Sequence, residues 1–398
     1  MKKKILTVII ALILVALAVV TITVQNRKSA DVKNDFQSEL NTAESEIEAL
    51  KAQLRLKEAE SKPYKEIFVD MLRRVDYQDE TVYVIGHKTT DSDTVASAIG
   101  MAYLLNQLGI KAEAKVTGEI NLETKYALTK LSYSVPEILE NAEGKQLWLV
   151  DHSTSTQMVN GAEKARIVGI TDHHGIGSAE TTELICVLSC PAGSTCSIVS
   201  ELFEICDVKL PKDVASVLLA GVLSDTSNMK SNVTKLDETV FAKLKELSGI
   251  TDTDGLFAGM LDAKLSYEGL NDKEIFYSDY KNYEHNGYKY GIGCIKVARP
   301  DQIPAMAERM LAVIKKEETT EADFLLYHVY DADYSLGYTG IVGKDEAFIT
   351  QLMESTFGEI AQKSGEFYVF TPSLPRNKSI VPPIDKYLDT VEKISDSQ

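Results

Sequence analysis

Apolar runs alternate with polar, turn-forming stretches along most of this chain, and the lengths of the runs separate strands from helices. Residues 82–85, 146–150 and 166–170 are short, apolar and bounded by abrupt stops, which predicts buried strands. Residues 110–116 and 186–188 add two more. Helical periodicity is expected over 94–108, 123–131, 197–206, 214–223 and 239–247, the last closed by Gly249. This alternation from Thr81 to Gly249 predicts an α/β fold, with a doubly wound and mainly parallel sheet. The pattern changes after Asp262, and the polar stretch 265–272 reads as a hinge. Beyond it, strands at 288–295, 324–330, 338–342 and 367–370 mix with helices at 303–316 and 347–357, which predicts a smaller α+β domain.

The amino-terminal part follows a different pattern. Lys2-Lys3-Lys4 precedes an uncharged run from Ile5 to Val24. At helical rise it spans about 30 Å, one bilayer core. It is longer than the apolar region of a cleaved signal peptide and lacks a convincing small-x-small site, so it reads as a retained single-pass membrane anchor. Arg27, Lys28 and Lys33 follow it, but the tight Lys2–Lys4 cluster favours the amino end inside and the carboxyl side out. From 29 to 62 there is no Gly or Pro, and Phe36, Leu40, Ala43, Ile47, Leu50 and Leu54 recur at alternating steps of four and three. That seam fits either a short coiled-coil stalk pairing two chains into a homodimer or a single solvated helix. The expected organisation is an anchor at 1–28, a helical stalk at 29–76, and domains at 77–264 and 265–398.

Composition narrows the function. The chain has 398 residues, 25% charged, and a formal net charge of −17. Bulk electrostatic binding of nucleic acid is therefore excluded. An acidic protein that handles a small anionic substrate needs metal ions and a few placed cations. The five cysteines (Cys186, Cys190, Cys196, Cys206 and Cys294) are odd in number and contain no Cys-x-x-Cys pair. They suggest reduced thiols rather than a disulfide framework or a zinc site.

The chemistry lies at the strand ends. Strand 82–85 stops at Gly86 and is followed by His87, Asp91 and Asp93. Strand 146–150 runs into Asp151-His152, and strand 166–170 into Asp172-His173-His174. Carboxyl ends of parallel strands share one edge, where open α/β sheets build their sites. Carboxylates with imidazoles suit Mn2+, Fe2+, Co2+ or Zn2+, and the surplus of oxygen favours the harder Mn2+ or Mg2+. Five or six ligands fit two ions sharing a bridging carboxylate. Asp225, after the apolar helix 214–223, adds a carboxylate. The Gly193-Ser194-Thr195 turn either aims backbone N–H groups at an anion or is a plain N-cap.

Taken in order, Gly86-His87, Asp91-x-Asp93, Asp151-His152, Asp172-His173-His174, Pro191-x-Gly193-x-Thr195 and Ser224-Asp225-Thr226 resemble the motifs of the DHH phosphoesterase superfamily. Within it they are most similar to the family II, manganese-dependent inorganic pyrophosphatases, over residues 80–398. The resemblance implies that His87 and Asp91 hold one metal, that Asp93, His173 and Asp225 hold another, and that Asp151 bridges them. It implies two Mn2+ ions (or Co2+ or Mg2+) and a further Mg2+ arriving with the substrate. His174 would be the donor or acid toward the substrate. Lys281, in Asp279-Tyr280-Lys281, would reach a phosphate, and Arg376 would clamp one bidentately beside Asn377 and Lys378. The second domain would close over the first.

Three departures stand out. Thr90 replaces the motif proline, which predicts a change of loop stiffness; Gly175 replaces an arginine; Asn377 replaces a lysine of the phosphate loop. The implied activity is hydrolysis of pyrophosphate by a hydroxide that two ions activate. The alternatives are a short-chain exopolyphosphatase or nucleotide phosphohydrolase of the same superfamily, and a non-catalytic membrane sensor.

Overall fold

A computed structural model of the chain describes residues 41–49, 51, 66–317 and 321–391. The expected anchor at 5–24 lies outside the described residues, as do Phe36, Leu40, Leu50 and Leu54 of the seam. Residues 41–49 are helical, with Ala43 and Ile47 as their half-buried positions. No helix among the described residues is long and apolar enough to cross a membrane. The chain divides into two compact units, Met1–Asp254 and Gly255–Gln398.

The first unit carries strands β1 (Val82–Ile85), β2 (Ala112–Lys115), β3 (Gln146–Val150), β4 (Arg166–Asp172) and β5 (Cys186–Ser189). They pair in the order β2-β1-β3-β4-β5, every pair parallel. This is the order expected of a doubly wound sheet, with its topological switch between β1 and β3. Val82, Val84, Ile85 and all of Leu147–Val150 are buried, because both faces of the parallel sheet are covered, one of them by the irregular segments 139–142 and 158–162. The helices are α1 (Ser92–Gln107), α2 (Leu122–Lys130), α3 (Thr195–Ile205), α4 (Lys212–Asp225) and α5 (Lys235–Ser248). Helix α1 starts two residues before its expected position because the Asp91 side chain caps it, accepting from the Thr94 amide at 3.0 Å.

A bulge between Leu147 and Trp148 sets Gly169 of β4 opposite the Trp148 ring. A Cβ on Gly169 would lie 2.4 Å from ring carbons of Trp148. The indole Nε1 donates to Thr171 Oγ1 at 3.0 Å, so the bulge locks β3 and β4 together just before their ends reach the Asp and His residues.

The second unit begins within helix α6 (Thr253–Lys264), before the stretch read as a hinge. Asp262 on this helix accepts from Gln302 Nε2 at 3.2 Å and pairs with Arg299, which ties the helix to the second unit. After α7 (Asp272–Ser278) come β6 (Tyr280–His285), β7 (Tyr288–Val297), α8 (Ile303–Lys316), β8 (Phe324–Asp331), β9 (Gly337–Gly343), α9 (Glu346–Phe357), β10 (Ala361–Ser364), β11 (Phe367–Phe370) and α10 (Val381–Leu388). The sheet order is β10-β11-β9-β8-β7-β6, antiparallel except for β7 with β8. Alternate residues feed two cores, Tyr290 and Ile292 on one face and Ile295 and Val297 on the other. Helices α6, α7 and α10 and strands β6 and β10 were not expected from the sequence. Pro382 and Pro383 occupy the first turn of α10, where a missing N–H costs nothing.

Replacing Gly169 with Ala forces a methyl group against Trp148. We expect a loss of about 1–3 kcal/mol, as for overpacked cores. Urea unfolding followed by circular dichroism checks this, and an unchanged midpoint would mean that the bulge does not need the glycine.

Candidate metal centre

Strands β1, β3 and β4 lie side by side and end on one edge, so their following residues converge. Three groups of side chains result: His87 with Asp91 and Asp151; Asp93 with Asp151, His173 and Asp225; and Asp151 with His173 and His174. Within each group the ligand atoms lie within 4.8 Å of one another. Asp151 belongs to all three because it follows the middle strand. Its two oxygens are divided: Oδ2 lies 3.3 Å from His87 Nε2, and Oδ1 lies 3.3 Å from His173 Nε2. His87 Nε2 is also 3.3 Å from Asp91, and His173 Nε2 is 3.5 Å from Asp225. All six residues expected to hold metal are brought together.

Asp151 sits at φ 63, a left-handed conformation that is rare for any residue but Gly, Asn or Asp. That twist turns its carboxylate across the ends of β1 and β4. Thr94 Oγ1 donates to Oδ2 at 2.7 Å and Thr195 Oγ1 to Oδ1 at 2.9 Å, which fixes the division. Gly86 makes room: a Cβ there would lie 2.2 Å from Thr94 Cγ2.

The turn before α3 resolves the choice left open by the sequence. Ser194 is the N-cap, accepting from the Cys196 amide at 3.0 Å. The anion at the helix N-terminus is internal: Asp93 takes Ser194 Oγ at 2.5 Å, the Thr195 amide at 2.7 Å and the Cys196 amide at 3.0 Å. The same turn accepts from His173 Nδ1 at the Ala192 carbonyl, at 2.9 Å. That bond leaves Nε2 free to face an ion, as second-shell carbonyls do for metal-bound histidines.

The electrostatics call for cations. Four carboxylates meet here, and their partners among the described ion pairs are imidazoles. Burial opposes charge on His87, yet its bonds to Asp151 and Asp91 push its pKa up to about 10. Burial also opposes charge on His173, but Asp151 and Asp93 drive it upward. Burial and repulsion from its neighbours raise Asp225, and burial with the Asp151 charge raises Asp93. Asp151 is held low against burial by its bonds from His173 and His87. These shifts are those of a site that favours added positive charge, and oxygen with nitrogen donors in this ratio fits Mn2+.

His174 has a half-exposed side chain and lines a cavity of about 300 Å³ with His87, Asp91, Asp151, His152 and Gly175. Asp172 Oδ1 accepts from both its amide and its Nδ1, each at 3.0 Å, and this bond raises the His174 pKa. Asp172 therefore orients His174 rather than joining the ligand groups. Thr94, Ser194, Thr195 and Asp172 are functional neighbours that sequence reasoning did not single out for these tasks. The fixed spacing of the Ser and Thr residues to the ligands was the available signal.

In the second unit, Arg376 is engaged rather than open. Its Nη1 donates to the Asp279 carbonyl at 2.8 Å and its Nη2 to Asp279 Oδ1 at 2.6 Å, leaving the side chain 9% exposed. Asn377 and Lys378 share a second cavity of about 300 Å³ with Arg376, Tyr330 and Tyr334. Lys281 is exposed on β6.

Thr90 is not merely a looser stand-in for proline. It lies at φ 44, which a proline ring, locked near −65°, cannot adopt. Its hydroxyl donates to the Glu119 carbonyl at 2.7 Å and helps hold that conformation. Thr90→Pro should lower stability by more than about 1 kcal/mol, and Thr90→Gly should be milder. Thermal unfolding of both variants tests this; a Thr90→Pro protein as stable as the parent would contradict the left-handed loop.

Known proteins align with this architecture in both units. Residues 81–222 match the model of the DHH family, N-terminal domain, and residues 258–387 match the DHHA2 domain. A protein of Archaeoglobus fulgidus named probable manganese-dependent inorganic pyrophosphatase is 35% identical over 321 residues, 77% of this chain and 98% of its own length. A manganese-dependent inorganic pyrophosphatase of Methanocaldococcus jannaschii is 32% identical over 314 residues, covering 76% of this chain and 98% of that one. A crystal structure described as a Methanococcus jannaschii putative family II inorganic pyrophosphatase shares 31% identity, with a TM-score of 0.48, over 77% of this chain and 99% of that one. Similarity that runs nearly from end to end of such relatives has one reading: this chain belongs to the family of manganese-dependent, family II inorganic pyrophosphatases.

Proposed function

We propose that this protein hydrolyses inorganic pyrophosphate to two phosphates, using two Mn2+ ions held at the strand ends, and that it works tethered to a membrane. The observation that carries the catalytic reading is the divided carboxylate of Asp151, one oxygen toward His87 and the other toward His173. The names of the relatives support the substrate.

His87, Asp91 and Asp151 would hold one ion; Asp93, Asp151, His173 and Asp225 would hold the other. When bound, such a pair acidifies water and neutralises phosphate oxygens. His174, protonated more readily through Asp172, donates a proton or hydrogen bond to a phosphate oxygen. Lys281 and Arg376 supply positive charge to the phosphates, and Asp279 keeps Arg376 oriented. Mg2+ accompanies the substrate. The membrane reading rests on the uncharged run from Ile5 to Val24, with the amino end inside and the carboxyl side out.

Asn377 carries a hydrogen-bonding amide where the family loop has a cation. A charge-assisted contact contributes about 1.5–3 kcal/mol and a neutral one about 1. The difference is on the order of tenfold. Phosphate release should therefore be measurable from pyrophosphate with Mn2+ and Mg2+, and Asn377→Lys should raise kcat/KM for pyrophosphate by about that factor. Tripolyphosphate and a nucleoside triphosphate serve as competitors. A preference for either by more than about tenfold over pyrophosphate would replace this reading with a polyphosphate or nucleotide hydrolase.

For the tether, the chain of residues 1–398 should remain with membranes through high salt and alkaline carbonate, whereas residues 64–398 should be recovered in solution. Release of the full chain by salt alone would argue against a spanning anchor.

A further inference from the structure

The turn from Ala192 to Cys196 touches three of the six ligand residues: His173 through the Ala192 carbonyl, Asp93 through Ser194, Thr195 and Cys196, and Asp151 through Thr195 Oγ1. What holds the turn itself comes from a later helix. Asp237, in the first turn of α5, is fully buried. Its Oδ2 accepts from the Gly193 amide at 2.8 Å, from the Thr234 amide at 2.8 Å and from Thr234 Oγ1 at 2.6 Å.

Two of these bonds come from the N-cap residue Thr234, the one from its amide belonging to the capping box of α5, and would serve that helix alone. The third does not. Gly193 is 44 positions away in sequence, within the turn that bonds to the ligands. It is also pressed from the other side: a Cβ there would lie 2.7 Å from the Asn232 carbonyl oxygen and 2.8 Å from Thr226 Cγ2. Thr226 directly follows Asp225, the last ligand. The turn is thus gripped between the start of α5 and the loop leaving α4. A carboxylate suits the task better than an amide. Three donors converge on one oxygen, and the charge of a carboxylate strengthens each of those bonds, where a neutral amide oxygen would make weaker ones.

We infer that Asp237 is a positioning residue for the Asp93–His173–Asp225 group, acting through the Gly193 amide to set the turn that aims those ligands. The inference rests on the proposed two-ion reading of the site. It predicts a selective effect, since His87 and Asp91 make no bond to the turn among the described hydrogen bonds, and the shared Asp151 meets it through Oδ1, the oxygen toward His173.

The test is direct Mn2+ binding to the full chain, by calorimetry and by electron paramagnetic resonance, with Asp237→Asn, Asp237→Ala and Thr234→Ala compared. Asp237→Ala should weaken one of the two Mn2+ ions by about 10–100-fold, the usual effect of losing an outer-shell partner, and leave the other near its original affinity. The spectrum of a coupled Mn2+ pair should give way to that of a single ion at concentrations that fill both sites of the parent. Asp237→Asn should fall between. Thr234→Ala weakens the same helix cap but leaves the Gly193 bond, so it should lower thermal stability while keeping both ions. The inference is overturned if Asp237→Ala keeps both affinities, if it weakens both ions equally, or if Thr234→Ala weakens Mn2+ binding as much as Asp237→Ala. A parent protein that binds no pair of Mn2+ ions would instead remove the two-ion reading itself.

Discussion

One carboxylate on the middle of three adjacent strands governs this architecture. Asp151 can face both neighbours only because β1, β3 and β4 are contiguous and parallel, and because its backbone twists to φ 63. Everything around it follows from the resulting concentration of negative charge. Helix α3 directs its positive N-terminus at Asp93, hydroxyls of Thr94 and Thr195 each donate to one oxygen of Asp151, and imidazoles stand between the acids. Without cations such a cluster opposes folding; with them it becomes a metal site. The parallel sheet brings the ligands to one edge, and the charge makes that edge selective for divalent ions.

Much of this was readable before any coordinates. Strands β1, β3 and β11 and helix α8 fall where hydrophobic periodicity placed them, since each is a well-patterned segment buried against a core. The ligands were readable because they follow strand ends, and strand ends in a parallel sheet share an edge. What escaped was set by distant partners. Helix α6 carries glycines and a polar start, and its attachment depends on Arg299 and Gln302. The pairing of Arg376 with Asp279 joins residues 97 positions apart, both of which the motif reading considered only as parts of phosphate-binding segments. The left-handed backbone of Thr90 has no local signature, because a β-branched residue ordinarily avoids that region.

The two units manage charge differently. In the first, acids are gathered and left for cations to balance. In the second, a basic group is buried and answered by an acid: Arg376 lies beneath Asp279, beside Tyr330 and Tyr334. The guanidinium of Arg376 is already hydrogen-bonded and held still. The ordering entropy of the side chain is therefore lost at folding.

The bulge that seats Trp148 against Gly169 has an optical consequence. Trp148 is the sole tryptophan of the chain, so indole emission originates entirely from the first unit. Its ring nitrogen is bonded to Thr171, two residues before His173, and its backbone lies three residues before Asp151. The chromophore is therefore mounted on the two strands that run into Asp151 and His173. Fluorescence can follow melting of the first unit separately from circular dichroism, which sums over both, and without any attached label.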